Sequence, residues 1–578
     1  MDGCGPGKAG RGLTRNGKTL LSGVDPSGRA DKTADALTVK ERTLYFCPSP
    51  LYGYGLERLL ARLETQAPGS AVLCVEADPE LLELSQKHFN PVLKNNPKLR
   101  LTGIREAGPL CAFLRGEWGA RVFRRVETIR FNGGWQLFPE VYDNLVETLR
   151  REIAIDWGNA LTLTRLGRRY IRNAVRNLAL IPNHPSLDKM FFGDAPVLVL
   201  GAGPSLDGFL DALANKFGET LDTPEKRPFR IICVDTCLLS LKARNIKPDL
   251  AVILESQHWN LGDFIGLSGW DVPAAMDLSA LPRSGEVLSG GLSLFFTPWT
   301  ELSVFKRLKE AGLLPVKIPP MGSVGLTAVA IALEISAGPV ITAGLDFSFT
   351  ADSFHARSTP GHLSKLYGHN RFNSLFNADT VYGGTAFKTV SKTGGSVLSS
   401  PALTHYRNLF ERNFGGNGGS GRLFDITGSG LPLGLKTLPA NEAVSVLGNG
   451  GAAKPQWESG IGEWGCGKAA MGSGEWGRRC ASESVLAEKL RVFALNELAR
   501  LTLLKDILTG VKQSDSKTLD TLIEECDYFW AHFPDYAASS RRPCAAELET
   551  GNPDIISFLN RLRVETEPFL ALFQRLCG

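Results

Sequence analysis

Residues 197–206, VLVLGAGPSL, decide the fold predicted for this chain. The apolar residues at the start are typical of a buried strand, and Gly201, Gly203 and Pro204 predict a tight turn that ends at Ser205. The next apolar residues recur at helical spacing: Leu206, Phe209, Leu210, Leu213. Strand, turn and helix predict the first corner of an α/β unit, where bare amides and a helix dipole can meet a phosphate. A buried turn without a ligand would use the same residues.

Composition restricts the class of protein. A chain of 578 residues is too long for one core and predicts about three or four domains. It contains no apolar run of the roughly 18 residues that a membrane helix needs, and its start lacks the apolar core of a secretory signal. A net charge of +4 gives no argument for nucleic acid binding. The 11 cysteines form no C-x-x-C pair, which favours reduced thiols and a cytoplasmic location.

The order of patterns predicts an α/β protein with a Rossmann-like central domain, a smaller N-terminal α/β domain and a helical C-terminal domain. Gly-Glu-Trp-Gly occurs twice in a glycine-rich segment without core-forming periodicity, which predicts a disordered insertion. The expected segments are a flexible leader (1–40), the N-terminal domain (41–140), a helical connector (141–194), the central domain (195–440), the insertion (441–482) and the C-terminal domain (483–578).

In the N-terminal domain, a short strand, a loop with Gly53 and Gly55, a helix and a second strand lead to Glu76 and Asp78. An acidic residue at the end of the second strand is the arrangement that holds a ribose in dinucleotide folds. The glycines do not form a G-x-G-x-x-G turn. We therefore favour a Rossmann-like domain that binds nothing over one that binds a cofactor.

Carboxylates follow the later predicted strands of the central domain. Asp235 follows 230–234, Glu255 follows 250–254, and Asp346 follows the strand at 340–343. In parallel α/β sheets ligands bind at the carboxyl ends of strands, so acids at one strand end after another indicate a site.

Asp346 opens a polar loop that contains His355 and Arg357. Nine residues after a strand-end aspartate, His355 is within reach of the same crevice. His355, His362 and His369 repeat every seven residues, but the glycine and proline between them argue against one metal site.

Together these motifs resemble the motility-associated factor family. The residues that carry the resemblance are VLGAGPSL within 198–206, NIKPD at 245–249, GSV at 322–324, GLDFS at 344–348, HAR at 355–357 and the segment 410–439. That family shares its central domain with the archaeal 6-hydroxymethylpterin diphosphokinase MptE. Two positions depart from the family pattern: Glu255 stands where aspartate is usual, and Leu345 where a polar residue is common.

The resemblance implies a glycosyltransferase that moves a nonulosonic, sialic-acid-like sugar from a CMP donor to serine or threonine of flagellin. On that interpretation Gly201, Gly203, Pro204 and Ser205 hold the donor phosphate, and Gly322 and Ser323 belong to the nucleotide site. Asp235 or Glu255 accepts hydrogen bonds from ribose hydroxyls or from the cytosine amine. Asp346 stabilises an oxocarbenium-like state, and His355 is the general base.

Two other functions stay open. A diphosphokinase would bind ATP, a pterin and Mg²⁺, with Asp235, Glu255 and Asp346 as metal ligands. A non-catalytic module would bind only a nucleotide or a flagellar partner. The extra domains favour a macromolecular acceptor, and therefore the transferase.

Overall fold

A computed structural model describes residues 12–119, 122–375, 384–415, 421–449, 473–533 and 553–577. The chain forms two compact units. The first consists of Met1–Arg168 with Trp530–Ile556, and the second of Arg169–Phe529 with Ser557–Gly578. No helix within the described ranges is both long and apolar enough to cross a membrane.

The first unit is built around a parallel sheet of four strands in the order β5-β4-β3-β6. Every residue of β3 and β4 is buried, as expected for strands covered on both faces. The elements are β1 (Leu13–Arg15), β2 (Lys18–Leu21), α1 (Pro26–Ala36), β3 (Thr43–Pro48), α2 (Leu56–Gln66), β4 (Ala71–Val75), α3 (Pro79–His88), α4 (Pro91–Lys94), β5 (Leu99–Thr102), α5 (Ala107–Trp118), β6 (Arg125–Thr128) and α6 (Pro139–Asn177).

The prediction of a flexible leader over 1–40 is wrong for residues 12–40. The strands β1 and β2 pair in an antiparallel hairpin, and α1 follows them. Leu20 and Ala34 are 1% and 0% exposed, so this segment contributes to the core. Its few apolar residues are separated by glycine and charge, which hid the periodicity. Residues 1–11 lie outside the described residues.

The second unit contains a parallel sheet of eight strands in the order β11-β10-β9-β8-β7-β12-β15-β16. Its elements are β7 (Val197–Leu200), α7 (Leu206–Phe217), β8 (Arg230–Val234), α8 (Leu238–Lys242), β9 (Leu250–Ile253), β10 (Ala274–Asp277), β11 (Leu292–Phe295), α9 (Ser303–Glu310), α10 (Val324–Glu334), β12 (Val340–Ala343), α11 (Pro360–Gly368), β13 (Phe387–Val390), β14 (Ser396–Ser399), α12 (Pro401–Phe414), β15 (Leu423–Ile426), β16 (Lys436–Leu438), α13 (Ala440–Gly448), α14 (Ser473–Leu508), α15 (Ser516–Glu525) and α16 (Pro553–Cys577). The predicted α/β, Rossmann-like class is confirmed.

The strand order reverses beside β7. From β7 the chain steps outward through β8, β9 and β10 to β11, and then returns to place β12 on the other side of β7. The apolar helix α10 packs across the central strands, so it is buried on most of its surface. In open parallel sheets, the carboxyl ends of the strands on either side of such a reversal are the place where ligands bind.

The predicted disordered insertion at 441–482 is wrong at both ends. Helix α13 covers its first residues and buries Ala443, Val444 and Leu447, while α14 begins at Ser473. The glycine-rich composition of the neighbouring sequence concealed the short apolar face of α13. Residues 450–472 lie outside the described residues.

The predicted helical C-terminus is confirmed by α14, α15 and α16. Glu497 of α14 is 1% exposed and accepts hydrogen bonds from Arg307 of α9 at 2.7 and 2.9 Å. Arg500 reaches the same carboxylate at 2.8 Å. These contacts lie within the second unit and join the C-terminal helices to the segment that follows β11.

One motif residue has a structural role. Asp249, the last residue of NIKPD, accepts hydrogen bonds from Arg227 at 2.7 Å and from Arg230 at 3.3 Å. It also accepts one from the backbone amide of Ile231 at 2.7 Å. Both arginines are buried, so Asp249 supplies the charge that balances them.

Replacing Asp249 with Asn should lower the free energy of unfolding by about 3 kcal/mol, because a buried ion pair that loses one partner leaves an uncompensated charge. Chemical denaturation followed by circular dichroism measures the change. Asp271→Asn is the matched control, since Asp271 pairs with Lys247 and its side chain is 66% exposed. The control should change stability by no more than about 0.5 kcal/mol. Equal losses in the two variants would contradict the assignment.

Candidate functional site

The glycine loop 201–205 joins the ends of β7 and β12. The amide of Gly201 donates to the carbonyl of Ala343 at 2.8 Å, and the amide of Gly203 donates to that of Gly344 at 2.8 Å. A Cβ on Gly201 would meet the Gly344 carbonyl oxygen, and one on Gly203 would lie 2.5 Å from the Asp346 carboxylate. Glycine is therefore required here for close approach of the two strand ends.

Asp346 holds this loop in place. Its Oδ2 accepts the Ser205 amide at 2.7 Å, and its Oδ1 accepts the Ser205 hydroxyl. The residue is 2% exposed, and burial raises the pKa of its carboxyl while the bonds from Ser205 oppose that shift. The expectation that the loop amides are free to bind a phosphate is wrong for Gly201, Gly203 and Ser205, because their N–H groups already donate hydrogen bonds within the chain. Both oxygens of the Asp346 carboxylate accept hydrogen bonds from Ser205, and its electrostatic stabilisation of an oxocarbenium-like state stays a prediction.

The loop that contains His355 packs against the glycine loop. The amide of Ala356 donates to the carbonyl of Ala202 at 2.9 Å, which places His355 one residue from that contact. The amide of Arg357 donates to Asp207 of α7 at 3.0 Å. Burial lowers the pKa of His355, so its imidazole is neutral near pH 7. The structure thus places the loop that contains His355 beside the glycine loop, while the His355 ring lies near Gly361, where an added Cβ would be 3.2 Å from its Nδ1.

Gly322 and Ser323 lie at the start of α10. The Ser323 hydroxyl caps the helix by accepting the Leu326 amide at 3.4 Å. Leu345, 7% exposed, packs close to this helix end: a Cβ on Gly325 would lie 2.7 Å from its Cδ2, and one on Gly201 would lie 2.6 Å from the same atom. The apolar residue at 345 therefore fills the space between the glycine loop and α10.

Asp235 lies in a second polar group at the end of β8. It is 3% exposed and accepts hydrogen bonds from the Asn260 amide at 2.8 Å and from the Thr236 backbone at 2.9 Å. The Thr236 hydroxyl lies 3.1 Å from the Asp263 carboxylate. Burial, and then the charge of Asp263, raise the pKa of Asp235 to about 7. A carboxyl in this state is half-protonated near neutral pH and can donate as well as accept a hydrogen bond.

Glu255 differs from the other two acids because its side chain is exposed. Its Oε1 accepts the Gln257 amide at 2.9 Å, which orients the carboxylate after β9. Among the described residues, no group of three or more His, Cys, Asp or Glu side chains is arranged to hold a metal ion. The structure therefore does not assemble Asp235, Glu255 and Asp346 into the metal-ligand set that the kinase alternative needs.

Two buried asparagines of α6, which were not predicted from the sequence, lie at the carboxyl edge of the large sheet. Asn173 donates to the carbonyls of Ser256 at 3.0 Å and Ser279 at 3.1 Å. Asn177 donates to those of Leu278 at 2.8 Å and Ala280 at 2.9 Å. The loops after β9 and β10 are thus fixed to one helix. Asparagine is a poor helix former, so two of them four residues apart in an apolar helix face were the available signal.

Asp277, at the end of β10, was also missed. It is 0% exposed and accepts the amides of Ser279 at 2.7 Å and Thr297 at 2.6 Å. The carboxyl ends of β8, β9, β10 and β12 therefore all carry or precede an acid, but only Glu255 is exposed.

The acids of the N-terminal sheet have internal partners. Glu76 is 1% exposed and accepts hydrogen bonds from Ser49 at 2.6 Å and from Tyr142 at 3.3 Å. Asp78 caps α3 and pairs with Arg15 at 3.0 Å. Both carboxylates thus stabilise the fold of the first unit.

A cavity of about 810 Å³ in the second unit is lined by α9, α14 and α15, and none of the predicted site residues lines it.

Comparison with known proteins agrees with this architecture. Residues 168–352 match the model of a family described as 6-hydroxymethylpterin diphosphokinase MptE-like. Over these residues the chain is similar to the MptE-like family. This MptE-like region contains the glycine loop, Asp235, Glu255 and Asp346, whereas His355 lies three residues beyond its end.

The similarity to other proteins extends beyond the MptE-like region. An uncharacterized protein of Treponema pallidum (strain Nichols) is 28% identical over 579 residues, covering 97% of this chain and 94% of the relative. The structure of a Maf glycosyltransferase from Magnetospirillum magneticum AMB-1 has a TM-score of 0.53 at 14% identity, covering 98% of this chain and 88% of that one. The resemblance to motility-associated factors is thus confirmed at the level of the fold and of the MptE-like region.

The raised pKa of Asp235 predicts the pH dependence of stability. The carboxyl titrates near 3.8 when unfolded and at about 7 when folded, so between these values the native state binds more protons. Its contribution to stability is therefore present at low pH and falls as the pH rises through this window. Asp235→Asn should be more stable than the wild type at pH 8, with the difference disappearing near pH 4.

Chemical denaturation across this pH range measures the effect of Asp235→Asn. The control is Asp352→Asn, which changes an exposed loop aspartate in the same unit. A stability difference that does not vary with pH would contradict the buried, proton-binding state of Asp235.

Proposed function

We propose that this protein is a cytoplasmic glycosyltransferase that transfers a nonulosonic sugar from a CMP donor to serine or threonine of flagellin. The observation that carries the proposal is the position of the loop that contains His355: the Ala356 amide donates to the Ala202 carbonyl at 2.9 Å, so this loop lies against the glycine loop, where the strand order reverses. The fold shared with a protein described as a Maf glycosyltransferase supports the same reaction class.

In the proposed reaction, the acceptor hydroxyl attacks the anomeric carbon of the donor sugar. A carbon–oxygen bond forms, the bond between that carbon and the phosphate oxygen breaks, and CMP leaves with the electron pair. The hydroxyl proton passes to His355, which is able to accept it because its lowered pKa keeps it unprotonated. The phosphate is a good leaving group, so no further acid is required at that oxygen.

The donor phosphate needs donors other than the occupied loop amides. Arg357 follows His355 by two residues, and its side chain is 60% exposed although it lies 3.4 Å from Asp207 and 3.6 Å from Asp211. A guanidinium suits phosphate because it presents several N–H groups in one plane. We assign Arg357 to the phosphate. Gly201, Gly203, Pro204, Ser205 and Asp346 shape the loop beside it.

His355→Ala should reduce turnover by about 10²–10⁴-fold, since that is the usual contribution of a general base. Binding of CMP should not change. The measurement is the intact mass of flagellin from cells that lack the protein and are complemented with each variant, together with CMP release by the purified protein.

His369→Ala is the matched control for His355→Ala, because His369 is an exposed histidine of the same segment. The wild-type rate should rise with pH through a pKa below the ordinary value of 6.5 and then level off. A His355→Ala rate equal to that of the control would remove His355 from the mechanism. Unmodified flagellin in wild-type cells would exclude this acceptor.

The MptE-like match supports a second candidate, a diphosphokinase that uses ATP and a pterin. Calorimetry of the full chain distinguishes the two. The transferase predicts binding of CMP without a divalent metal, with no binding of a pterin. Mg²⁺-dependent binding of ATP together with a pterin would favour the kinase instead. If none of these ligands binds, that result contradicts both enzymatic proposals and supports a non-catalytic module.

A further inference from the structure

Side chains from α6, from the segment after β11 and from α12 lie near the loop that begins at Glu255, at the carboxyl edge of the large sheet. Tyr170, Asn173 and Asn177 lie three and four residues apart along α6 and therefore share one face of that helix. Asn173 on this face holds the carbonyl of Ser256, the residue after Glu255, at 3.0 Å. Tyr170 consequently lies one helical turn away, above the ends of β9 and β10.

Aromatic rings complete the group. The ring of Trp299, which follows β11, lies 5.4 Å from that of Tyr170 at an angle of 49°. Tyr406 of α12 lies beside Gly322, where an added Cβ would be 3.8 Å from its ring. The negative charge of Glu255 acts on Tyr170: burial, then Glu255, raise the pKa of this tyrosine to about 12. Both Tyr170 and Trp299 are only half-buried and so present part of their ring surface to solvent.

Two polar atoms in this group are available to a ligand. The indole Nε1 of Trp299 is buried and has no hydrogen-bond partner among the described residues. A buried donor left in this state destabilises the protein, and an acceptor supplied by a ligand removes the penalty. The Oε2 of Glu255 likewise accepts no hydrogen bond within the described part of the chain, whereas Oε1 is fixed by Gln257.

We propose that Tyr170, Trp299 and Glu255 form the nucleobase subsite, in which Glu255 accepts a hydrogen bond from an exocyclic amine of the base. The rings stack on the base, and the Trp299 N–H donates to an oxygen or nitrogen of its edge. This inference rests on the proposed function, because it requires a nucleotide at the same edge. It adds the residues that select the base.

The spacing of the strands agrees with this assignment. Strands in a sheet are about 4.8 Å apart, so the end of β9 lies about 10 Å from the end of β7. That separation corresponds to the span between the phosphate and the base of a nucleoside monophosphate. A phosphate at the end of β7 would therefore leave its base near Glu255, which follows β9.

The chemistry of the base predicts selectivity. Cytosine presents an amine that donates to a carboxylate, whereas uracil presents a carbonyl oxygen at the same position, which a carboxylate repels. CMP should therefore bind at least about tenfold more tightly than UMP, because a hydrogen bond to a charged group has roughly that effect on affinity. In Glu255→Gln the ratio should fall towards one, since an amide both donates and accepts.

Calorimetry with CMP, UMP and AMP on the full chain tests the subsite. The matched control is Glu310→Gln, an exposed glutamate at the end of α9, which should keep the wild-type ratio. Equal affinity of the wild type for CMP and UMP, or an unchanged ratio in Glu255→Gln, would overturn the inference. Binding of AMP over both pyrimidines would keep the amine contact but contradict the transferase. Absence of any nucleotide binding would refute the proposed function together with its subsite.

A second variant tests the aromatic part of the subsite. Trp299→Phe keeps a ring for stacking but removes the N–H, and should weaken CMP binding several-fold. Trp270→Phe is the control, since Trp270 precedes β10 and so lies at the opposite edge of the sheet. Thermal melting of both variants checks that they are folded. A folded Trp299→Phe protein with wild-type CMP affinity would exclude Trp299 from the subsite.

Discussion

The closure of the glycine loop onto β12 is the contact on which the arrangement of the large sheet's carboxyl edge depends. Two backbone hydrogen bonds join the loop to Ala343 and Gly344, and the Asp346 carboxylate closes it through Ser205. No side chain larger than hydrogen fits at Gly201 or Gly203 without displacing these groups. Because the loop is fixed in this way, the segment with His355 can pack against it through the hydrogen bond from the Ala356 amide to the Ala202 carbonyl.

This contact also changes the role that the structure assigns to the glycines of the motif. A glycine turn before a helix is commonly interpreted as a phosphate cradle made of free amides. Here the amides are used to hold two strand ends together, and the glycines are needed for steric reasons. In the proposed reaction, the polar groups that bind the ligand come from later loops, namely Arg357, His355 and Glu255. In the proposed reaction, ligand recognition at this edge therefore depends on residues outside the glycine motif.

The sequence predicted the architecture well, because buried parallel strands appear as continuous apolar runs followed by polar residues. The strands that end at Leu200, Val234, Ile253 and Ala343 were all anticipated. The sequence did not predict which strand-end acids would be exposed. Asp235 is buried beside Asn260 and Asp346 beside Ser205, and these contacts arise from tertiary packing.

The missed residues have a common cause. Asn173, Asn177, Tyr170 and Trp299 come from a helix far upstream and from the end of another strand, so no spacing in the sequence connects them to Glu255. The short helix α13 and the hairpin at 12–21 were missed because their apolar stretches are too short to show a period. Long elements were thus predictable, whereas contacts between distant segments were not.

The asparagines of α6 have a mechanical consequence. This helix has 39 residues, a length of about 58 Å, and its last turns grip the loops after both β9 and β10. Neither loop can shift alone without breaking hydrogen bonds to a carboxamide that also binds a neighbouring carbonyl. A displacement of the last turns of α6 would therefore move the loops that carry Glu255 and Asp277 together.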